Sequence, residues 1–318
     1  MSSEALPFVP GARRRAVLAA ALGPEVAAAL NAPEVTEALI NADGRLWLDR
    51  AGAGLEATLV IIPAADREAA IRLLAHEAGE TVGPDRPLLS AVLPGSAARV
   101  QAVLAPLVAA PVLAIRKRPE RIFTLDDYVA SGAATEAQAA ELRAAVEGRR
   151  NIIVAGGAGS GKTTLLNALL AEPAFRAART IVLEDTAELQ VSGENVVQLL
   201  TKRTGCQVTL RDLVQTALRL RPDRIIVGEV RDAAALDVLK AWNTGHPGGL
   251  LTLHANSAAD ALGRLEDLCL EAGGGDPSRL IAQGVGLIVF IERTSDGRRI
   301  SQILNPNLSQ PVSKGDLT

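Results

Sequence analysis

From Asn151 onward, short runs of β-branched and aliphatic residues alternate with longer stretches whose apolar positions recur every three or four residues. The runs NIIVAG, TIVLED, RIIVGE, LLTLHA and LIVFIE are apolar along most of their length and close on glycine or on a polar, potentially reactive residue. Strands apolar on both faces belong in a parallel sheet covered by helices, so this part of the chain predicts an α/β domain with a mostly parallel sheet. In such sheets ligands bind at the carboxyl ends of the strands, and the polar endings should converge on one crevice.

The earlier part of the chain has a different texture. VTEALINADGRLWLDR alternates apolar and polar positions on both sides of Asp43-Gly44, a dipeptide suited to a tight hairpin turn, and predicts paired strands. AADREAAIRLLAHEAG carries Ala70, Ile71, Leu74 and Ala75 at helical spacing, and PLLSAVLPG and PVLAIRKR read as further strands. Residues 1–118 are therefore expected to form a smaller, mixed α/β N-terminal domain. Charges and Pro119 interrupt the pattern around RKRPERIFTLDDY, which reads as a linker. A helix from about Thr135 to Gly148 leads into the second domain, 119–305, and the polar end NPNLSQPVSKGDLT leaves 306–318 as a flexible tail.

Composition narrows the function classes. With 33 basic and 36 acidic residues the formal net charge is -3, and aromatic residues make up 2% of the chain. Neither an electrostatic footprint for coating a phosphodiester backbone nor a set of stacking residues is present, so direct nucleic acid binding has no strong support. Cys206 and Cys269 stand apart from each other and from any histidine at ligand spacing, and both read as reduced, buried thiols. AVLAPLVAAPVLAI, from Ala102 to Ile115, is too short to span a bilayer, contains two prolines and reads as buried core. RRRAVLAAALG imitates a signal peptide, but Pro24 and Glu25 follow at once, which favours an amphipathic surface helix and a cytoplasmic chain.

The candidate chemistry lies in GGAGSGKTT. Gly156, Gly157, Ala158, Gly159, Ser160, Gly161, Lys162, Thr163 and Thr164 fit G-x-x-x-x-G-K-[ST] between a strand and a helix, the setting that a phosphate-binding loop requires. Glycines let successive backbone N–H groups aim inward, and the helix start adds its positive dipole end. Lys162 is expected at the β and γ phosphates of ATP, and Thr163 at Mg²⁺ through its hydroxyl. Hydrolysis needs carboxylates as well. RIIVGE ends in Gly228-Glu229, with glycine where many such loops' partner strands carry aspartate, and IVLEDTAEL offers Glu184, Asp185 and Glu188 at another strand end. Glu229 and Asp185 join Thr163 as candidate metal-side groups, and Glu184, Glu188 and Glu229 as candidates for handling the water. His254, at the strand end in LLTLHA, can donate toward the γ-phosphate or the water, whereas His246 and His254 are not spaced as a zinc pair. Arg116 and Arg118 lie in AIRKRPER, where planar cations could neutralise developing charge.

In that order and spacing, GGAGSGKTT, LEDTAEL, RLRPDRIIVGEVRD and NTGHPGGLLTLHANS resemble the secretion traffic ATPase superfamily, whose members power type II and type IV secretion and type IV pili. LKAWNTGHPGGLLTLHANS, INADGRLWLDR and FTLDDYVASG look most like its conjugal transfer branch, and the absence of a four-cysteine insertion agrees with that. The resemblance runs from about Val35 to Ile303. It implies a RecA-like P-loop domain behind the N-terminal domain, Mg²⁺-dependent ATP hydrolysis, and a hexameric ring at the cytoplasmic face of the inner membrane, working with secretion or conjugation proteins through domain motions. By matching motif, 156–164 binds phosphates and Mg²⁺, 184–188 is the acidic box, Glu229 the Walker B glutamate, His254 part of the histidine box, and Arg116 and Arg118 part of the basic linker region. The competing readings are a type II secretion or pilus motor, a nucleic acid translocase, a small-molecule phosphotransferase and a nucleotide-gated scaffold.

Overall fold

The computed structural model of the chain describes residues 22–50, 53–93, 98–118, 121–202, 206–273, 275–295 and 297–306. Most of RRRAVLAAALG, expected as an amphipathic helix, and all but one residue of the expected tail 306–318 lie outside them. The chain divides into two compact units, Met1–Glu120 and Arg121–Thr318.

The first unit is built on a six-stranded antiparallel sheet in the order β3-β2-β1-β6-β5-β4, with β1 Val35–Ile40, β2 Arg45–Arg50, β3 Gly54–Ile61, β4 Leu88–Val92, β5 Arg99–Val103 and β6 Val112–Arg116. Helices α1, Pro24–Asn31, and α2, Ala64–Glu77, accompany it. The expected hairpin forms at Asp43-Gly44: Gly44 has φ 84°, and a Cβ there would stand 2.6 Å from the Ile62 carbonyl oxygen, so only glycine fits. Ala70, Ile71, Leu74 and Ala75, the helical stripe read from the sequence, are buried in one cluster with Ala38, Ile40, Leu46, Leu113 and Ile115. The run Ala102 to Ile115 is not uniformly core. It contains the end of β5 and all but the last residue of β6, joined by a turn in which Leu107 is 58% exposed.

The second unit carries a seven-stranded sheet in the order β13-β12-β7-β11-β10-β8-β9. The five apolar runs are its central strands: β7 Ile152–Gly156, β8 Thr180–Glu184, β10 Arg224–Val227, β11 Leu250–His254 and β12 Leu287–Thr294. All pair in parallel, as does the edge strand β9, Val196–Leu200, while β13, Gly297–Leu304, returns antiparallel from β12. Residues at alternate strand positions go to two separate clusters, one with Ile153, Ile181, Ile225 and Leu251 and the other with Ile152, Val182, Ile226 and Leu250. The sheet is thus buried on both faces, which explains why its strands read as continuous apolar runs. Helices α3, Leu125–Ala130, and α4, Glu136–Glu147, precede β7. They are followed by α5 Lys162–Leu170, α6 Leu210–Ala217, α7 Ala234–Asn243, α8 Ala258–Leu270 and α9 Ser278–Gly284. Cys269 is buried, and burial pushes its thiol up to about 11, whereas Cys206 is exposed, unlike the buried thiol expected from the sequence.

Candidate functional site

The loop Gly156 to Thr164 leaves the carboxyl end of β7, whose two neighbours are β11 and β12. Gly159 and Gly161 take φ 67° and 99°, backbone that side chains oppose, and a Cβ on Gly156 would collide with the Ile291 carbonyl. Gly157, Ala158 and Gly159 are exposed. Gly161 is the N-cap of α5 and provides no side-chain acceptor, so the first turn of α5 has no capping side chain. Inside the loop the Ser160 hydroxyl is buried and makes no hydrogen bond among the described residues. An uncapped helix start and an unsatisfied buried hydroxyl together fit a phosphate chain.

Lys162 is buried and donates to the carbonyl oxygens of Gly156 at 3.1 Å and Gly157 at 2.8 Å. Its Nζ also lies 3.3 Å from His254 Nδ1. An ammonium has no lone pair, so Nδ1 must accept, and the ring proton is left on Nε2. That atom stands 2.9 Å from Glu229 Oε1, while the other carboxylate oxygen of Glu229 accepts from Arg231. Lys162, His254, Glu229 and Arg231 thus follow one another at polar-contact distances, the His254–Glu229 step being a close approach in which Glu229 Oε1 makes no aligned hydrogen bond among the described residues. Desolvation, then the charge of Lys162, lowers the His254 pKa; Glu229 opposes this and Arg231 adds to it. Arg231 is held charged more firmly than usual, first by its bond to Glu229, against a cost of burial, and then by the charges of Glu229, Asp185 and Glu188.

The acidic strand end of β8 divides into different environments. Glu184 is 3% exposed, and its Oε1 accepts from the backbone N–H groups of Glu188 and Leu189, each at 2.9 Å. It lies beside Gly228: a Cβ on that glycine would be 3.0 Å from Glu184 Cγ and 3.5 Å from Oε1. Glycine at the end of β10 therefore makes room for a carboxylate delivered by the neighbouring strand. Asp185 is exposed and accepts from the Thr201 hydroxyl at 2.8 Å, and Glu188 is half-buried. Thr163 and Thr164 sit half-buried on the first turn of α5. Among the described residues no three His, Cys, Asp or Glu side chains cluster as a protein-only metal site. Magnesium does not need one, because it retains waters and takes one or two protein oxygens beside the phosphates.

Arg116 and Arg118 belong to the first unit, where Arg116 Nε stands 3.4 Å from Glu37 Oε1 across the β1–β6 pair, and Arg118 is half-buried. His246 lies 3.2 Å from the Ala241 carbonyl at the end of α7. Two further cations belong to the site. Arg231 could have been noticed two positions after Glu229. Arg298, on β13, gives no such cue, yet its Nε donates to Gly159 O at 3.4 Å.

Comparison with known proteins adds a lineage. A protein-family profile described as "Type II/IV secretion system protein" matches residues 60–302. The conjugal transfer protein TrbB of Rhizobium radiobacter is 46% identical over 286 residues, covering 89% of this chain and 87% of that protein. The type IV secretion system protein VirB11 of Bartonella henselae is 30% identical over 276 residues, covering 73% and 77%. Among solved structures, the Legionella pneumophila ATPase DotB superposes with a TM-score of 0.62 at 23% identity, covering 96% of this chain and 83% of that one, which speaks for a common fold.

Proposed function

The chain belongs to the type II/IV secretion system protein family, and from that premise we propose that it is an ATPase whose hydrolysis of ATP drives a type IV secretion or conjugal transfer machine. The observation that carries this reading is the link from the phosphate loop to a carboxylate: Lys162 reaches Glu229 through a single imidazole. A loop that only gripped nucleotide would have no use for that connection. In the proposed division of labour, the amides from Gly157 to Thr164 and the Ser160 hydroxyl hold the phosphates, and Lys162 leaves its carbonyl partners for the β and γ phosphates. Glu229 orients the attacking water and accepts its proton, held in place by His254 and Arg231. Glu184 braces the turn that carries Glu188 rather than touching the water.

Thr163 would hold Mg²⁺ through its hydroxyl, with Asp185 and Glu229 on the same side, and the ion when bound supplies positive charge to the phosphate oxygens. Arg116 and Arg118 would add cations toward the γ-phosphate. The motor is proposed to act as a homo-oligomer, a hexameric ring attached peripherally at the inner face of the inner membrane, with movement of one unit of the chain against the other as its output. The 46% identity to a conjugal transfer protein favours that branch over a type II secretion or pilus motor.

Phosphate release tests the reading. Wild-type protein supplied with ATP and Mg²⁺ should liberate inorganic phosphate, and Glu229→Gln should bind ATP with unchanged affinity while turnover falls by roughly 10²–10³-fold. Binding without any turnover by the wild type, at every protein concentration that sustains its assembly, would leave only a nucleotide-gated scaffold.

A further inference from the structure

The phosphate loop has two flanks. On one, β11 and β10 bring His254 and Glu229 to the loop. On the other, β12 pairs with β7 and turns back as β13, whose second residue is Arg298. Its Nε donates to the Gly159 carbonyl at 3.4 Å, and its Cδ passes 2.8 Å from the point a Cβ on Gly161 would occupy. The side chain is exposed, and its charge is felt by the buried phenol of Tyr128 on α3. Gly161 is thus required for its left-handed backbone, and its missing side chain lets Arg298 pass close by.

We propose that Arg298 binds the nucleotide at its nucleoside end, through the α-phosphate. The inference rests on the ATPase reading, because it takes its direction from the cleaved end. A triphosphate threaded along the loop must present its γ-phosphate to Glu229 and His254. The chain of phosphates then leaves the loop on the opposite flank, toward the β12–β13 hairpin, where Arg298 already lies against the loop. Its Nε is engaged by Gly159, which leaves the two terminal nitrogens of the guanidinium fork as donors for an anionic oxygen. ATP and ADP share the α-phosphate, and bond cleavage occurs two phosphorus atoms away. Such a contact strengthens ground and transition states alike, so its loss falls on affinity and KM rather than on kcat.

The test uses the full chain with Arg298→Ala and Arg298→Lys. Calorimetric titration with ADP and with ATP, in the presence of Mg²⁺, should give affinities for Arg298→Ala reduced by the same factor for both, about tenfold, the usual worth of one charge-assisted contact. KM should rise in parallel with kcat kept within about twofold, and Arg298→Lys should recover most of the loss. Inorganic pyrophosphate, which fills the loop without a nucleoside end, should compete equally well against wild type and variant. A fall in kcat at unchanged affinity would put Arg298 at the cleaved end, an equal loss for pyrophosphate would make it only a brace for the loop, and no change would deny it any contact. Each of these overturns the inference. If Arg298→Ala does not melt at the wild-type temperature, Arg298→Lys and Arg298→Gln carry the same comparison. A wild-type chain that retains neither ADP nor ATP would defeat the ATPase reading itself, whereas wild-type binding with an indifferent Arg298→Ala removes this inference alone.

Discussion

Lys162 and Arg231 sit at opposite ends of a four-residue chain that passes through His254 and Glu229, and substitutions along it should separate binding from cleavage. Lys162→Ala removes the ammonium that the phosphates attract, so nucleotide affinity and turnover should both collapse in a filter-binding and phosphate-release comparison. Equal loss of affinity in Glu229→Gln would contradict the separation. Arg231 does not touch the loop carbonyls but fixes one oxygen of Glu229. Arg231→Ala should therefore lower kcat by about tenfold with ADP affinity unchanged, since a freed carboxylate samples orientations that miss the water; a faster variant would mean that the arginine restrains Glu229 instead. Gly228→Ala would put a methyl 3.0 Å from Glu184 Cγ. That side chain is buried and tied to two backbone donors, so a loss of about 1–3 kcal/mol in a denaturation experiment is expected, as for other overpacked sites. Sequence alone exposes the loop, because glycines, lysine and threonine at fixed spacing are its own mechanism. It does not separate Glu184 from Glu188, since which carboxyl turns inward depends on a glycine on another strand. Nor does it expose Arg298, which reaches the loop only through the pairing of β12 with β7.

Elements were legible to the extent that their surroundings were uniform. The central strands β7, β8 and β10 are buried at every position, and the apolar runs follow directly. The edge strand β9 is half exposed, and β13 is buried at one position alone, Ile300, so neither has a run to betray it. In the first unit β3 is another edge strand, with Leu59 96% exposed, a pattern that burial logic does not anticipate. Helix starts carry their own signal: Thr124, Thr135 and Thr209 each accept from the backbone N–H three residues on, closing capping boxes at α3, α4 and α6. At α6 the Asp212 carboxylate is held below its usual range, first by the Thr209 hydroxyl and then by the Thr209 backbone N–H; at α3 the order for Asp127 is the Thr124 backbone and then its hydroxyl. A pKa depressed on folding contributes stability that is complete above the unfolded value and lost as pH falls through the folded one. Thr209→Ala should accordingly lower the melting temperature by about 2–4 °C near neutral pH, the shift expected for a lost cap. The gap from wild type should narrow as pH falls below the unfolded aspartate value of about 3.9 and on through the lower folded one. A gap as wide at acid pH as at neutral pH would deny the carboxylate its part in the cap.

At the scale of the whole molecule, the cores are segregated by unit. One cluster is drawn entirely from the first unit, from Leu22 to Ile115, and the other two entirely from the second, from Leu125 to Ile300. Each unit therefore has its own apolar reason to fold, and the phosphate loop, His254, Glu229 and Arg298 all belong to the second. A ligand that binds only the folded form stabilises the unit whose groups it contacts by RT ln(1 + [L]/Kd), about 2.7 kcal/mol at a hundredfold excess over Kd. Calorimetric melting should then resolve two transitions, assignable by comparison with the separate fragment 121–318, and ADP with Mg²⁺ should raise the transition of the second unit by several degrees. The first unit's transition reports on a different proposal. If Arg116 and Arg118 reach the phosphates, ATP should raise that transition as well, more than ADP does, and Arg116→Ala should abolish the difference. A first-unit transition indifferent to both nucleotides, in protein that otherwise hydrolyses ATP, would leave those arginines as surface charges, with Arg116 paired to Glu37 and nothing more. Work would then have to be transmitted by groups of the second unit alone.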